Sequence, residues 1–373
     1  MEGLDRSRDV SLYIHIPYCY RKCDYCAFYS IEDHKTSDEY FSVLMRQIDV
    51  ITEDLKKPFH TIFIGGGNPG VLGNERLLEI AASACRYGRP HEFTTELNPE
   101  SVSADTVRLT EYFDRISIGV QSFSDDVLKI LGRNASAKTA HRALEILSDI
   151  KRSKDIRLNG DIITSVPGSS YERTLSDIRT LNSFGVDHIS LYSLSLEEGT
   201  PLAGRVLPLD EESDRICLEK SWEILKDLGF EHYEVSNFAR PGARSLHNSV
   251  YWQLGQYIGL GPSAESSLGW KKCISLRQKD SVEEYLSDPS FDAYLLSAGE
   301  LGEEFLLTSL RTSDGIDKMN YSMRFDEDFD ERFSSFITDL DPSWYINTAE
   351  KFALTEDGFM LLDRIILALA MAL

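Results

Sequence analysis

Hydrophobic and polar positions change their period repeatedly along the first two-thirds of the chain. SLYIHIP (11–17), TIFIGGG (61–67), EFTTELNP (92–99), RISIGVQSF (115–123), IRLNGDIITSV (156–166) and DHISLYSLSLE (187–197) are rich in β-branched and aromatic residues and read as strands. Between several of them, apolar residues recur three and four apart. EYFSVLMRQIDVITEDL (39–55), ERLLEIAASACRYG (75–88), AKTAHRALEILSDI (137–150) and YERTLSDIRTLNSFG (171–185) therefore read as amphipathic helices. Six strands alternating with helical stretches predict a parallel sheet covered by helices, an α/β fold of partial (β/α)6-barrel type. In barrels of this kind the chemistry sits at the C-terminal ends of the strands. Here those ends carry Cys19 to Cys26, Gly65 to Gly67, Glu96 with Asn98, Gln121, Asp161, Tyr192 and Glu197.

The rhythm weakens after about residue 200. A helix (210–228) leads to a strand-like run, YEVSNFA (233–239), and then to a glycine-rich stretch, Tyr257 to Ser263, that reads as a loop. From about 285, helical runs, acidic patches and a closing strand–turn–helix predict a small C-terminal α+β domain of winged-helix-like shape. The expected division is a core barrel (1–205), a barrel extension (206–284) and an accessory domain (285–373). The apolar tail, Ile365 to Leu373, is short for a bilayer span and reads as a docking helix.

Charge narrows the class of partner. With 39 basic and 61 acidic side chains the net charge is −22, which disfavours nucleic acid. The first residues, MEGLDRSRDV, lack a charged-then-apolar export pattern, so a cytoplasmic chain with reduced thiols is expected.

Three of the six cysteines fall in one short stretch, Cys19-x3-Cys23-x2-Cys26, directly after the first predicted strand. Cys85, Cys217 and Cys273 are scattered and read as small buried hydrophobes. A structural zinc site usually recruits two well-separated ligand pairs, and no second pair exists. A disulfide conflicts with the compartment and strands one thiol. A ferredoxin-type cluster wants four cysteines. Three thiolates on a [4Fe–4S] cube leave one iron open to a small molecule, and a structural metal knuckle is the alternative.

The cysteine spacing resembles the signature of the radical S-adenosylmethionine (SAM) superfamily. That resemblance implies a radical SAM barrel in which SAM chelates the open iron through its amino and carboxylate groups and is cleaved reductively to a 5′-deoxyadenosyl radical. GGGNPG (65–70) is similar to the superfamily's glycine-rich strand end, so Gly66 and Gly67 are expected against the methionyl part of SAM. Glu96, Gln121, Arg133 and Asp161 match the polar positions that bind ribose, ammonium and carboxylate groups. Tyr13 and Tyr25 are expected to pack near cluster and adenine.

Six motifs extend the resemblance along nearly the whole chain. YIHIPYCYRKCDYCAF, FIGGGNP, ISIGVQSF, YEVSNFARPG, HNSVYW and YIGLGPSA are similar to the oxygen-independent coproporphyrinogen III oxidase group. One branch of that group is a SAM-dependent decarboxylase with a further cysteine two residues after the third; here that position is Phe28. The other, the HemW branch, comprises heme chaperones with an H-N-x-x-Y motif, matched by His247, Asn248 and Tyr251. The resemblance therefore implies heme or a porphyrin as cargo, a heme-accepting client at or near a membrane, and a homodimer. Imidazole is a common axial ligand of heme iron, which makes His247 the expected heme ligand. Coproporphyrinogen oxidation is the alternative. His15, His188 and His232 read as strand-end or core residues. Four positions depart from the group's pattern: Asn68 replaces Thr, Ala135 replaces His, Ser165 replaces Gly and Glu265 replaces His.

Overall fold

A computed structural model describes residues 3–371. Its centre is six parallel strands: β1 (Val10–Ile16), β2 (Thr61–Gly66), β3 (Glu92–Leu97), β4 (Arg115–Gln121), β5 (Arg157–Thr164) and β6 (His188–Ser193). The helices between them are α1 (Ser37–Leu55), α2 (Asn74–Ala84), α3 (Asp125–Ile130), α4 (Ala137–Ser153) and α5 (Tyr171–Ser183). Between β3 and β4 the crossover is made instead by 3-10 turns, Pro99–Ser101 and Ala104–Glu111. The radical SAM-type α/β architecture expected from the sequence is thus the one observed. The strands are buried almost throughout because helices cover one face while the other lines a barrel interior, where several polar side chains point. In α1, Tyr40, Val43, Leu44, Ile48, Ile51 and Leu55 form one buried stripe. Each such side chain contributes about 1.5–3 kcal/mol on burial. The helix stops at Lys56, whose φ of +50° turns its N–H back to the Thr52 carbonyl.

The second third departs from the sequence reading in two places. After α6 (Glu211–Asp227), the run expected as one strand folds back as β7 (Glu231–Glu234) and β8 (Asn237–Ala239), with β8 antiparallel to β6. Then, past α7 (Leu246–Trp252), the glycine-rich stretch expected as a loop contains β9 (Gln256–Leu260), parallel to β1. The glycine there serves contact, not turning: a Cβ on Gly259 would lie 2.1 Å from the Glu265 carbonyl oxygen. β10 (Glu265–Gly269), β11 (Cys273–Arg277), α8 (Val282–Ser287) and β12 (Asp292–Leu295) follow, and the antiparallel strands extend the sheet to twelve. The strand order is β12-β11-β10-β9-β1-β2-β3-β4-β5-β6-β8-β7.

The C-terminal part holds α9 (Ala298–Leu310), β13 (Ile316–Asp317), α10 (Lys318–Phe325), α11 (Phe329–Thr338), β14 (Tyr345–Asn347), β15 (Lys351–Leu354), α12 (Glu356–Phe359) and α13 (Leu362–Ala370). Its three strands pair in the order β13-β15-β14. The apolar tail forms α13, burying Ile365, Ile366 and Leu369 beside α9 and α11; Ala372 and Leu373 lie outside the described residues. Among the described residues no helix is long and apolar enough to cross a membrane.

Candidate cofactor site and barrel lumen

The cysteine loop leaves the end of β1 and is stapled at its base. Cys19 N–H donates to the Ile31 carbonyl (2.9 Å), and Ile31 N–H donates to that of Pro17 (2.8 Å). Its tip is tied to the far wall, where Asp24 N–H reaches the Leu131 carbonyl (3.0 Å) and the Asp24 carboxylate pairs with Arg205 (2.5 Å). All six cysteines are free thiols. Burial pushes the Cys19 thiol up to about 11, and burial followed by the charge of Cys23 raises that of Cys26. Arg133 approaches from outside the loop, with Nη1 3.4 Å from Cys23 Sγ. Among the described residues no three Cys, His, Asp or Glu side chains are grouped so as to hold a metal ion. Cys19, Cys23 and Cys26 share one short loop, and a four-iron cube carries its protein ligands on separate irons, which three thiols of one loop can supply.

The glycine turn after β2 lies directly against this loop. Gly66 has φ +110°, and a Cβ there would fall 2.9 Å from the His15 ring and the Ile16 carbonyl oxygen. A Cβ on Gly67 would fall 2.7 Å from the Tyr18 carbonyl oxygen and 2.9 Å from Cys19 Sγ. Only glycine permits this approach. Asn68, the departure from Thr, is buried and holds the turn in shape. Its side-chain oxygen accepts the Gly70 N–H (3.1 Å), and its amide donates to Ser101 Oγ (3.0 Å).

The remaining polar residues complete a ring around the strand ends. The Gly66 N–H lies 3.3 Å from Glu96 Oε2. Burial, with the charge of Asp161 second, raises the Glu96 carboxyl to about 8. Asp161 is raised by its own burial, and its carboxylate accepts from Asn159 Nδ2 (2.7 Å) and Ser117 Oγ (3.3 Å). Gln121 ends β4 with φ +67°, beside a bulge in the β4–β5 ladder. Arg133 Nη2 donates to the Gly119 carbonyl (2.5 Å) and to Asn98 Oδ1 (3.1 Å). Tyr25 packs beside a small apolar cluster that includes Val127, Ile163 and Leu202. Tyr13 faces the barrel interior, its hydroxyl 3.0 Å from His15 Nδ1. Cysteines, glycines, Glu96, Gln121, Arg133 and Asp161 therefore meet at one end of the barrel, as the resemblance implies.

His247 lies at the opposite end. It opens α7, a short helix that plugs the barrel floor. Ser245 caps the helix through a bond from Asn248 N–H (3.3 Å), and the Glu92 carboxylate accepts the N–H groups of Leu246 (3.1 Å) and His247 (3.0 Å). The imidazole is 1% exposed. Its Nδ1 is 2.8 Å from Thr61 Oγ1, its Nε2 is 2.8 Å from the Tyr251 hydroxyl, and its ring stacks on Phe63. Burial lowers its pKa to about 3, so the ring is neutral, the form that ligates iron. Thr61 begins β2 and Gly66 ends it. At about 3.3 Å per residue, the strand puts roughly 17 Å between His247 and the glycine turn. Sequence reasoning missed Thr61 and Glu92 as partners of His247. The Tyr251 contact had a signal, because i and i+4 positions face each other on a helix.

Comparison with known proteins agrees with this geometry. Residues 13–181 match the radical SAM superfamily, and residues 296–361 match the HemN C-terminal domain. The heme chaperone HemW of Bacillus subtilis is 29% identical, covering 94% of this chain and 96% of its own. HemW of Escherichia coli is 35% identical over 69% of this chain and 70% of its own. The mitochondrial radical S-adenosyl methionine domain-containing protein 1 of Bos taurus is 31% identical over 96% and 83%. Among solved structures, the coproporphyrinogen III oxidase HemN of Escherichia coli superposes with a TM-score of 0.80, over 98% of this chain and 91% of that one. Its sequence identity is 19%, so this likeness speaks for the fold alone.

Proposed function

The chain belongs to the HemW family of the radical SAM superfamily, and from that premise we propose that it binds heme and passes it to client proteins. Cys19, Cys23 and Cys26 hold a [4Fe–4S] cluster. Gly66, Gly67, Glu96, Gln121, Arg133 and Asp161, with Tyr13 and Tyr25 nearby, hold SAM on its open iron. When both are bound they supply a one-electron reductive cleavage of SAM. The side chains bind and orient: Arg133 and Asp161 offer opposite charges to the two ends of an amino-acid group. Heme is taken through His247. The observation that carries this reading is the neutral imidazole held against Tyr251 at the head of α7. For iron to reach Nε2, the Tyr251 hydroxyl must let go. Phe28 stands where the decarboxylase branch has its further cysteine, and its side chain is 73% exposed. The protein works in the cytoplasm, meets its client at the membrane surface, and pairs with a second copy.

Anaerobic hemin titration of cluster-loaded protein, followed at the Soret band, tests the ligand assignment. His247→Ala should weaken one-site binding at least about tenfold, a loss of roughly 1.4 kcal/mol. Tyr251→Phe should strengthen it by freeing Nε2. Binding indifferent to His247 would remove the residue from this role.

A further inference from the structure

Arg115 opens β4 on the face that Ser117 and Gly119 share, inside the barrel. It is 2% exposed, and its Nε has no hydrogen-bond partner. Nearby carboxylates have cations of their own. Glu92 pairs with Arg157 (3.2 Å), and Glu234 with Arg311 (3.3 Å). Arg115 itself forms no ion pair among the described residues. Thr94 stands opposite it in the β3–β4 register, and Thr94 Oγ1 is also buried without a partner. Two orphaned donors thus sit side by side, which is costly unless something fills the gap.

They stand on the inward face of the barrel, with Glu96 and Ser117 two positions further along the same strands. Tyr192 keeps 43% of its surface accessible, yet burial raises its phenol well above the ordinary range. Ser190 bonds Asn159 inside the barrel, and Tyr192, two positions on along β6, shares that inward face. Tyr13, Tyr251 and Tyr257 are half-buried and linked in one aromatic chain, Tyr13–Phe63–His247–Tyr251–Tyr257. The charge of Arg115 is felt by Glu96 and Asp161 toward the rim and by His247 in the floor. The lumen therefore has aromatic walls, carboxyls at its cofactor end and one unpaired cation at depth.

We propose that Arg115 and Thr94 form an anion subsite in the floor of the lumen, taking a carboxylate of the ligand that enters it. A guanidinium presents two parallel N–H groups to a carboxylate, and Thr94 adds a third donor. The carboxylate's identity as a heme propionate rests on the heme-chaperone reading; the subsite itself does not. His247 would meet the iron while Arg115 holds an acidic arm, fixing the macrocycle in one orientation.

The test compares hemin with hemin dimethyl ester, whose propionates are blocked, on cluster-loaded wild type, Arg115→Met and Arg115→Lys. Wild type should prefer the free acid by at least about tenfold, Arg115→Met should lose that preference, and Arg115→Lys, which keeps charge without the fork, should fall between. Methionine is similar in length and removes an unpaired charge, so Arg115→Met should fold, which its apo melting curve checks. Hemin binding without a preference for the acid, or a preference that survives in Arg115→Met, overturns the subsite and leaves the chaperone reading intact. If no form binds hemin, that reading fails, and bromide-soaked crystals decide the subsite. An anomalous peak against Arg115 in wild type but not in Arg115→Met sustains it, and no peak in wild type overturns it.

Discussion

Ser165 has φ +59°, a left-handed conformation that side chains other than glycine rarely adopt. It stands where the resembled group has glycine, so the backbone accounts for the group's glycine and this chain carries a side chain where one is disfavoured. Ser165→Gly should stabilise the protein by about 0.5–1 kcal/mol, read as a shift in the urea midpoint at constant slope. Glu96 makes a second prediction at this scale. Its folded pKa of about 8 lies above the unfolded value, so the folded state holds its proton longer. Stability from this group is complete below the unfolded pKa and is lost as pH rises from about 4.5 to about 8. Apo Glu96→Gln should therefore gain stability relative to wild type across that window, measured by denaturation at several pH values. A difference that does not change with pH would show that Glu96 does not titrate there. Most cofactor-end residues were legible because their chemistry is local: a thiol triplet, a glycine triplet, a carboxylate at a strand end. Thr61, Thr94 and Arg115 were not, since nothing in RISIGVQSF distinguishes an interior arginine from one closing an ion pair.

At the scale of elements, periodicity found the six central parallel strands, β1 to β6, because buried β runs and amphipathic helices differ in period. It failed where glycine signals two things. The stretch from Tyr257 to Ser263 looked like a loop, yet β9 needs Gly259 to lie against the carbonyl of Glu265. It also missed a fold-back within YEVSNFA, where no Gly, Pro or Asn-Gly pair marks the turn between β7 and β8. Among the long-range contacts of the plug α7, the Glu92 carboxylate caps its first N–H groups and pairs with Arg157. Glu92→Ala leaves those N–H groups without their acceptor in the interior and leaves Arg157 with Asp114 alone. It should cost about 3–5 kcal/mol in a denaturant titration. A loss under 1 kcal/mol would mean that the plug is held by packing alone.

Across the whole molecule, the main sheet and the C-terminal part meet around α7. Arg311, at the end of α9, pairs with Glu234, the last residue of β7, and lies 4.1 Å over the Trp252 ring at the end of α7. The accessory domain was legible as a change in composition, but its contact with the barrel floor was not, because that contact joins residues distant in sequence. This placement joins floor, plug and domain into one unit, with the cofactor residues at the far end of the same lumen.

The two hydrogen bonds on the His247 ring have a kinetic consequence. On the proposed role of His247, iron would gain Nε2 only after the bond to Tyr251 breaks, so coordination would wait on a structural opening that the ligand does not drive. In stopped flow, the rate of the Soret change should level off as hemin concentration rises, and the ceiling should equal the opening rate. Tyr251→Phe should raise that ceiling, while a rate linear in hemin throughout would mean that the ring is already free. A gate of this kind also works in reverse. Once Tyr251 returned to the ring it would compete with iron for the same nitrogen, which on the proposed function supplies a built-in release step.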